Sequence, residues 1–507
     1  MPANAADRAG AVNDLAAIRA RLERVGQGHV LNFWDRLDAG QRRGLIGQID
    51  KIDWAVLPGL VDKYVTHKPI FALPDGVEPA PFFSADPARG AAAGSDATAL
   101  RRSWDANAAR AAGEDLLRRG KVACFTVAGG QGSRLGYDGP KGCYPGGAIT
   151  GRPLFRFFAE GILAAQRRYG APIPWAIMTS PLNHNATVAF FAEHKHFGLD
   201  PAGVVFFPQG VMPSFDRATG RLLMASPGEI ATNPDGHGGS ITALHRSGTL
   251  DRLADAGVEH VSYFQVDNPI VRVVDPAFLG LHAGAATGGA NSGSSGEMSS
   301  KMIAKAYAEE KLGLFCRAGG KVQVIEYSDL PMERQRETLP DGSLRFLAGS
   351  VAVHAMSVEF LRRLNEDAAF DLPYHRADKK IACIDPDTGK PVEPREPNGV
   401  KLERFVFDAL PLCRASIVLE TLRLEEFAPI KNADGVDSPA SSTRIQTERA
   451  AAWLERVGVK VARNAKGEAD CVIELSPLTA CEAPDLERAE VRANLPARIG
   501  SGERVVL

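Results

Sequence analysis

Short apolar runs separated by helical stretches fill residues 100–435 of the chain. Each run is rich in β-branched and aromatic residues, as in strands that are buried on both faces of a sheet. The runs are, in chain order, VACFTVAG, WAIMTS, VVFFPQG, VSYFQVD, KVQVIEYSD and ASIVLETLR. Strands that alternate with helices form a mainly parallel sheet covered by those helices. The pattern therefore predicts an α/β fold whose ligands bind beyond the carboxyl ends of the strands.

Two different patterns flank this α/β region. From about residue 10 to 65, apolar residues recur at three- and four-residue spacing, which predicts helices, and residues 69–95 are rich in proline and alanine, which predicts a surface linker. Beyond about residue 440, a helical pattern and short strand patterns predict a small C-terminal domain. Glycine and serine dominate residues 284–300, which predicts a mobile loop. The predicted divisions are a helical N-terminal segment with a linker at 1–98, an α/β domain at 99–437 and a small domain at 438–507.

Composition narrows the class of protein. The 507 residues are too many for one hydrophobic core, and 45% hydrophobic with 24% charged residues is typical of packed globular domains. A net charge of −2 lacks the basic excess that nucleic acid or a membrane surface attracts, so we expect neither partner. No leader pattern or membrane-length apolar run is found, so we expect a cytoplasmic protein. Seven scattered cysteines without a C-x-x-C pair argue against disulfides and a zinc site.

The most informative segment is VACFTVAGGQGSRLGYDGPKG, in which a buried strand runs into a glycine-rich turn. Gly129, Gly130 and Gly132 allow positive φ and let backbone N–H groups approach an anion. Arg134 and Lys141 add positive charge to the same turn. The segment predicts a phosphate-binding loop whose two cations are exposed and unpaired without a ligand. An ordinary strand-to-helix turn with two surface cations is the alternative interpretation.

Two familiar phosphate-binding motifs do not match this loop. A dinucleotide fingerprint requires glycine where Leu135 stands. A Walker loop requires Gly-Lys-Ser/Thr, whereas Lys141 follows Pro140. The loop is therefore neither of these two motifs.

Other polar residues stand where predicted strands end. Asp267 follows a strand in FQVDNPIV, where a carboxylate can hold Mg²⁺ near phosphate oxygens, although Asp-Asn is also common in turns. Glu326 and Tyr327 follow the strand in VIEYSD and could bind sugar hydroxyls, or lie on a solvated face. Lys401 and Lys431 could bind phosphate or be ordinary surface charge. PDGHGGSITAL opens a predicted helix and could face a nucleotide, or be a plain helix start.

Taken together, these segments resemble the eukaryotic-type UTP:sugar-1-phosphate uridylyltransferases, most closely the UDP-N-acetylglucosamine pyrophosphorylases. The resemblance runs through nearly the whole chain, and ordered matches at this density are highly specific for the family. It implies a Rossmann-like nucleotidyltransferase sheet of the GT-A type. The segments that carry it are AGGQGSRLG followed by PKG, PWAIMTS, FFAEHKHFGL, FFPQG, NPDGHGG, VDNPIVRVVDP, VIEYSDL, PNGVKLERFVFD and APIKNAD.

The resemblance also implies a role for individual residues. UTP would be held by the backbone of Ala128, Gly129, Gly130 and Gly132, its uracil would lie near Gln209 and Gly236, and its triphosphate would contact Arg134 and Lys141. Mg²⁺ would be carried by Asp267. The sugar would face His237, Glu326, Tyr327 and Ser350, and phosphate groups would be held by Lys401 and Lys431. The implied catalytic residues are Arg134, Lys141 and Lys401.

Three positions depart from the N-acetylglucosamine branch of the family. His237 stands for the asparagine of a Pro-Asp-Gly-Asn-Gly-Gly motif and matches the Gly-His-Gly typical of the UDP-glucose branch. Ser350 stands for an asparagine near the sugar, and Ser133 for a threonine. Gln131 and Arg134 match the N-acetylglucosamine branch. The resemblance therefore favours N-acetylglucosamine 1-phosphate as substrate, with a UDP-glucose or broad-specificity UDP-sugar enzyme as the alternative.

The implied reaction is an in-line attack by a sugar 1-phosphate on the α-phosphate of UTP, assisted by Mg²⁺. Both reactants are anions, so cations must offset their repulsion, and no general base is required because the attacking oxygen is already ionised. We expect UTP and a sugar 1-phosphate as partners, and a monomer or weak homo-oligomer. A catalytically silent sugar-nucleotide-binding protein and a hydrolase are the alternatives from other classes.

Overall fold

The computed structural model describes residues 5–69, 73–90, 100–284 and 294–507, with side chains from residue 15 onward. The chain forms two compact units, each assembled from segments that are distant in sequence. Unit 1 contains residues 1–72, 210–239 and 372–405, and unit 2 contains residues 73–209, 240–371 and 406–507, in their described parts.

Unit 2 is built on a sheet of twelve strands within the described ranges. Its main path is, in spatial order, Arg101–Arg102, Phe82–Phe83, Val418–Glu420, Met298–Ala304, Ala348–Ser357, His260–Gln265, Val122–Val127, Trp175–Thr179 and Val204–Pro208. Three further strands lie off this path. Leu314–Ala318 pairs with Ala348–Ser357, and Glu78–Pro79 and Lys321–Ile325 each pair with Leu314–Ala318.

The last four strands of the main path are parallel, whereas Ala348–Ser357 is antiparallel to both of its neighbours on that path. In the parallel part, Phe125 pairs with Tyr263 on one side and with Ala176 on the other. The predicted α/β fold with a large, mostly parallel sheet is confirmed. The glycine-rich segment and Asp267 both follow strands of this parallel part, so their side chains lie at the same edge of the sheet.

Helices cover the parallel strands of unit 2. The helix Leu154–Tyr169 ends at Gly170, whose φ of 67° is the left-handed conformation that commonly ends helices. Its Phe158 ring lies 5.2 Å from that of Phe264 on a neighbouring strand, and both are fully buried. The α-helices of unit 2 are Ala106–Arg118, Leu154–Tyr169, His184–Glu193, Thr249–Asp255, Pro276–His282, Met332–Gln335, Val358–Glu366, Arg423–Glu426, Pro439–Arg456 and Ala489–Arg492, and Gly239–Arg246 begins at the boundary residue.

Unit 1 has its own antiparallel sheet and its own hydrophobic core. The sheet contains Tyr374–Lys379, Gly399–Arg404 and Phe215–Asp216. Two-stranded pairs are formed by Val211–Pro213 with Thr232–Pro234, Met224–Ser226 with Glu229–Ile230, and Cys383–Ile384 with Pro391–Val392. The α-helices are Ala5–Arg24, Ala39–Ile49 and Leu57–Leu60, and a π-helical turn covers Val61–Thr66.

The N-terminal helices belong to unit 1 together with two segments from the middle of the chain. The buried Gln27 side chain donates to Gly220 O at 3.2 Å and accepts from Leu222 N at 2.8 Å. The Gln48 amide binds both backbone polar groups of Ile230. The predicted helices are therefore present, but they share a core with residues that the sequence placed in the α/β domain.

The predicted surface linker is wrong for the part that joins the large sheet, at Glu78–Pro79 and Phe82–Phe83. Phe82 and Phe83 are buried, and Phe83 pairs with Leu419 as part of the large sheet. Residues 70–72 and 91–95 of that linker, and residues 285–293 of the predicted mobile loop, lie outside the described residues. The end of that loop prediction is wrong, because Met298 already begins a strand.

Residues 438–507 surround a hydrophobic cluster that includes Trp453 and Leu454. The strands there are Lys460–Val461, Val472–Glu474, Arg498–Ile499 and Arg504–Val506. The buried Glu474 carboxylate accepts the N–H groups of Ile149 and Thr150, so this region is part of unit 2. Whether it is a domain in its own right stays a prediction. Among the described residues, no helix combines the length and the apolar character that crossing a membrane requires.

Candidate functional site

The glycine-rich segment forms a closed loop at the carboxyl end of Val122–Val127. Ala128 N–H still donates to Met178 O of the neighbouring strand, at 2.7 Å, before the chain leaves the sheet. Gly132 N–H then donates to Gly139 O at 2.9 Å, and Lys141 N–H donates to Gly130 O at 3.0 Å. These two bonds close the turn and bring the Lys141 backbone beside Gly130.

Gly129 and Gly132 are required because neighbouring side chains approach them closely. Gly129, Gly130 and Gly132 do not adopt the positive φ that glycine allows, whereas Gly136 and Gly139 of the same loop do. A Cβ on Gly129 would lie 2.8 Å from the side-chain oxygen of Gln209, and one on Gly132 would lie 2.7 Å from a Tyr137 ring carbon. Larger residues would therefore collide with these neighbours.

The loop and Gln209 lie together in the structure. Gln209 directly follows the strand Val204–Pro208, and its N–H donates to Thr179 O at 2.8 Å. Its side chain is buried against Gly129. Arg134 lies on the short 3₁₀ turn Ser133–Leu135, with its side chain exposed. The loop thus offers backbone N–H groups, one amide and one exposed cation.

Lys141 and Asp267 form a pair beside this loop. The Lys141 ammonium lies 3.7 Å from Asp267 Oδ2, and 16% and 12% of the two side chains are exposed. Burial, the largest cause, lowers the pKa of Lys141; Asp267 raises it, and the nearby Lys431 and Arg134 lower it. The expectation that Lys141 is exposed and unpaired is therefore wrong. Three cations therefore lie near two carboxylates, Asp267 and Asp437, and Asp437 Oδ2 lies 4.0 Å from the Lys431 ammonium.

The Asp-Asn turn after strand His260–Gln265 also fixes the segment that carries Lys431. The buried Asn268 side chain accepts Ala428 N–H at 3.1 Å. Asp267 O accepts Ile430 N–H at 2.8 Å, one residue before Lys431. Two residues from distant parts of the sequence, Asp267 and Lys431, are thereby held on the wall of one cavity.

Ser350 lies on the wall of the same cavity, next to an irregular part of its strand. Ser350 pairs with Met302, and His354 pairs with Ser300, so the strand bulges between them. Ala352, inside the bulge, has a φ of 53°, which is uncommon for a residue other than glycine. The bulge turns this part of the strand toward the cavity that Asp267 and Lys431 also line.

Glu326 and Ser350 lie close to the same glycine. Ser350 N–H donates to Gly313 O at 2.8 Å. A Cβ on Gly313 would lie 3.1 Å from Glu326 Oε1. Tyr327, the next residue, has an exposed side chain. The structure therefore brings two of the residues assigned to the sugar into one neighbourhood of unit 2.

Unit 1 holds the remaining candidate residues. Gly236 has a φ of 87°, and a Cβ there would overlap the backbone of Arg404. The His237 ring stacks on Phe405 with centroids 5.0 Å apart. Burial, with His375 as a smaller cause, lowers the pKa of His237 to about 4. His237 is therefore neutral at pH 7.

Lys401 lies on the strand Gly399–Arg404 between Val400 and Leu402, which are both fully buried in the core of unit 1. Because side chains alternate along a strand, Lys401 lies on the face opposite that core. The pairing partner of Lys401 is Ala377. Its predicted contact with phosphate stays a prediction.

The donor set around Asp267 suits Mg²⁺ shared with a substrate. The described residues contain no group of three or more histidine, cysteine or acidic side chains that could hold a metal ion by themselves. Mg²⁺ in phosphoryl-transfer sites is commonly held by one or two carboxylates together with phosphate oxygens. The nearly buried Asp267 carboxylate, beside a loop with available N–H groups, fits that arrangement.

Comparison with known proteins identifies a family that the chain matches. The profile of the family described as UTP–glucose-1-phosphate uridylyltransferase matches residues 96–449. The chain is 33% identical to UDP-N-acetylglucosamine diphosphorylase 2 of Arabidopsis thaliana, over 93% of this chain and 91% of the relative. It is 37% identical to UDP-N-acetylglucosamine pyrophosphorylase of Saccharomyces cerevisiae, over 69% and 73% of the two chains.

Solved structures show the same fold. The crystal structure of the uridine diphosphate N-acetylglucosamine pyrophosphorylase from Trypanosoma brucei, in complex with inhibitor, superposes with a TM-score of 0.74 at 26% identity. The match covers 96% of this chain and 97% of that one. The UDP-glucose pyrophosphorylase from Leishmania major superposes with a TM-score of 0.56 at 14% identity, covers 89% and 88% of the two chains, and shows the fold alone.

Proposed function

Because the chain belongs to the UTP–glucose-1-phosphate uridylyltransferase family and is a UDP-sugar-forming enzyme, we propose that its sugar substrate is N-acetylglucosamine 1-phosphate. Relatives with 32–37% identity carry N-acetylglucosamine or N-acetylhexosamine in their names. The observation that carries the chemistry is the cluster of Lys141, Asp267 and Lys431 beside the glycine-rich loop.

The reaction joins two anions. An oxygen of the sugar 1-phosphate attacks the α-phosphorus of UTP, a new P–O bond forms, and the bond to the β-phosphate oxygen breaks to release pyrophosphate. Lys141 and Arg134 would offset the charge of the triphosphate, and Lys431 would hold the phosphate of the sugar. Cations that bind more strongly in the transition state than in the ground state accelerate such a step.

Asp267 would hold Mg²⁺ at the edge of the sheet, and its burial and its position beside the glycine-rich loop support this role. When bound, the ion supplies positive charge to the phosphate oxygens. Asp267 itself keeps a carboxylate between the cations of the site, which limits their mutual repulsion in the absence of substrate. The N–H groups of the loop would bind phosphate and, with the Gln209 amide, the uracil edge.

Pyrophosphate release from four nucleotides tests the proposal. With N-acetylglucosamine 1-phosphate and Mg²⁺, we expect release from UTP and much slower release from ATP, GTP and CTP, because the loop backbone and the Gln209 amide would pair with the edge of uracil, which the other three bases do not present. Equal turnover of ATP contradicts this assignment. Release from UTP without a sugar phosphate would indicate a hydrolase, and no release with any sugar would indicate a silent binding protein.

The choice of sugar 1-phosphate is expected to be less strict than in enzymes of the N-acetylglucosamine branch, where asparagines stand at the positions of His237 and Ser350. An asparagine side chain offers both donors and an acceptor. Neither the neutral imidazole of His237 nor the hydroxyl of Ser350 places the same groups at the same reach. Loss of one matched hydrogen bond lowers discrimination by about 1 kcal/mol, so glucose 1-phosphate should be a measurable substrate. The double variant His237→Asn with Ser350→Asn should shift kcat/KM toward N-acetylglucosamine 1-phosphate.

The single variants separate the two positions. His237→Asn also loses the stack on Phe405, so its thermal stability must be measured beside its activity. Ser350 lies on the cavity wall, so Ser350→Asn should produce most of the shift in kcat/KM if the sugar binds there. If the unchanged protein rejects glucose 1-phosphate by several orders of magnitude in kcat/KM, these positions do not set sugar choice. A cytoplasmic location and a monomeric or weakly associating state stay predictions from the sequence.

A further inference from the structure

One buried asparagine of unit 2 binds the glycine-rich loop from behind. Asn183 has no exposed surface and lies shortly after the strand Trp175–Thr179. Its Nδ2 donates to Ala128 O at 3.0 Å and to Gly130 O at 3.2 Å. Its Oδ1 accepts Ser180 N–H at 2.7 Å. Both N–H donors of the amide and one of the two lone pairs of its oxygen are thereby used.

Asn183 stands at the N-cap of the helix His184–Glu193 but makes no side-chain hydrogen bond to that helix. Asparagine at this position usually accepts an N–H group of the first helical turn, which stabilises the helix. Here the side chain binds the loop instead. The local benefit of a helix cap is absent, because the side-chain oxygen accepts Ser180 N–H and both amide hydrogens are donated to loop carbonyls.

The two carbonyl bonds from Asn183 orient the peptide groups of the loop, at Gly130 O together with the bond from Lys141 N–H. The described chain contains no cis peptide, and in a planar trans peptide the C=O of one residue and the N–H of the next point in opposite directions. With Ala128 O turned toward Asn183, the N–H of Gly129 is turned away from it. The same holds for Gly130 O and the N–H of Gln131.

The side of the loop away from Asn183 is open. Gly130 and Gln131 are exposed. Within the described residues, the N–H groups of Gly129 and Gln131 donate to no protein acceptor. Two unpaired N–H groups that point the same way and are fixed by a buried side chain form a prearranged anion site.

We propose that Asn183 is a positioning residue for UTP binding. It turns two loop carbonyls inward, so that the N–H groups of Gly129 and Gln131 face the phosphates of UTP. Asn183 itself contacts no substrate. This role rests on the proposed function, because the anion is the triphosphate of the nucleotide.

The chemistry requires asparagine at this position. An aspartate has the same shape and keeps the acceptor for Ser180 N–H, but its ionised carboxylate cannot donate and repels both carbonyl oxygens. Burial raises the pKa of such a carboxyl, so protonation at lower pH would restore one donor. The Asn183→Asp variant should therefore lose UTP affinity at pH 8 and regain part of it at pH 6.

The test measures UTP binding by calorimetry, without turnover, at both pH values. Losing two hydrogen bonds should weaken binding about tenfold or more at pH 8. The matched control is Asn185→Asp, which makes the same change at an exposed position of the same helix and should bind UTP as the unchanged protein does. In turnover assays, Asn183→Asp should raise KM for UTP and leave KM for the sugar 1-phosphate unchanged.

A merely structural asparagine gives a different result. Asn183→Asp would then lose thermal stability but bind UTP normally once folded, or would weaken both substrates equally at both pH values, and either outcome overturns the proposal. If Asn183→Asp does not fold, Asn183→Ser, which keeps one donor, is measured against Asn185→Ser. Normal UTP binding by that variant also overturns the proposal. If the unchanged protein does not bind UTP, the proposed function fails first.

Discussion

Lys141→Ala is expected to lower kcat by about two orders of magnitude without lowering thermal stability. Removal of one preorganised donor to the developing charge typically costs about 3 kcal/mol of transition-state stabilisation. Burial lowers the pKa of Lys141 in the folded state. The charged form of Lys141 therefore destabilises the folded protein relative to the unfolded chain. Its loss should therefore leave the melting temperature unchanged or raise it.

The measurement is kcat with saturating UTP and N-acetylglucosamine 1-phosphate, together with a melting curve. Lys460→Ala is the matched control, because Lys460 is an exposed lysine on a strand of the C-terminal region. Lys141→Arg should recover part of the rate, since the charge is kept near Asp267. An unchanged kcat in folded Lys141→Ala would remove Lys141 from the catalytic group.

The location of the loop could be predicted from sequence, but the reason for its glycines could not. A run of glycines after a buried strand indicates a turn that approaches a ligand or another chain segment closely. Which of the two it is depends on Gln209 and Tyr137, whose positions against the loop are set by the fold. The φ values follow from that packing, and Gly129 and Gly132 do not use the positive φ that glycine allows.

Long-range partners were the main limit for both the fold and the site. Hydrophobic periodicity is a local signal, and it placed the helices of residues 10–65 correctly. It contains nothing to show that Gln27 would bind residues near 220, so the composition of unit 1 could not be predicted. The proline and alanine content of residues 69–95 likewise led to the prediction of a linker, although the structure buries the apolar pair Phe82 and Phe83 in the sheet.

Asn183 was missed for a related reason. An asparagine after a strand is ordinary turn chemistry, and nothing near it in sequence indicates that its partners are Ala128 and Gly130. Lys141 was found, but its pairing with Asp267 was not, because the two are brought together only by adjacent strands of the sheet. Residue type identifies candidates for phosphate chemistry, whereas pairing and burial require the fold.

Asp267→Asn is expected to lower Mg²⁺-dependent kcat/KM by about a thousandfold, since a metal ion contributes several kcal/mol of charge stabilisation to such a step. Asparagine keeps the size of the side chain, and the backbone bond from Ile430 N–H to Asp267 O does not depend on the carboxylate. The positions of Lys431 and of the turn should therefore be preserved. The loss should be kinetic and not structural.

The decisive measurement is kcat/KM as a function of Mg²⁺ concentration. In Asp267→Asn, raising Mg²⁺ should recover activity only partly, because phosphate oxygens alone then hold the ion. Asp255→Asn is the control, as Asp255 is an exposed carboxylate at the end of the helix Thr249–Asp255 and should leave the Mg²⁺ dependence unchanged. Full activity of Asp267→Asn at ordinary Mg²⁺ would place the metal on other residues, and the cluster of Lys141, Asp267 and Lys431 would then act through charge alone.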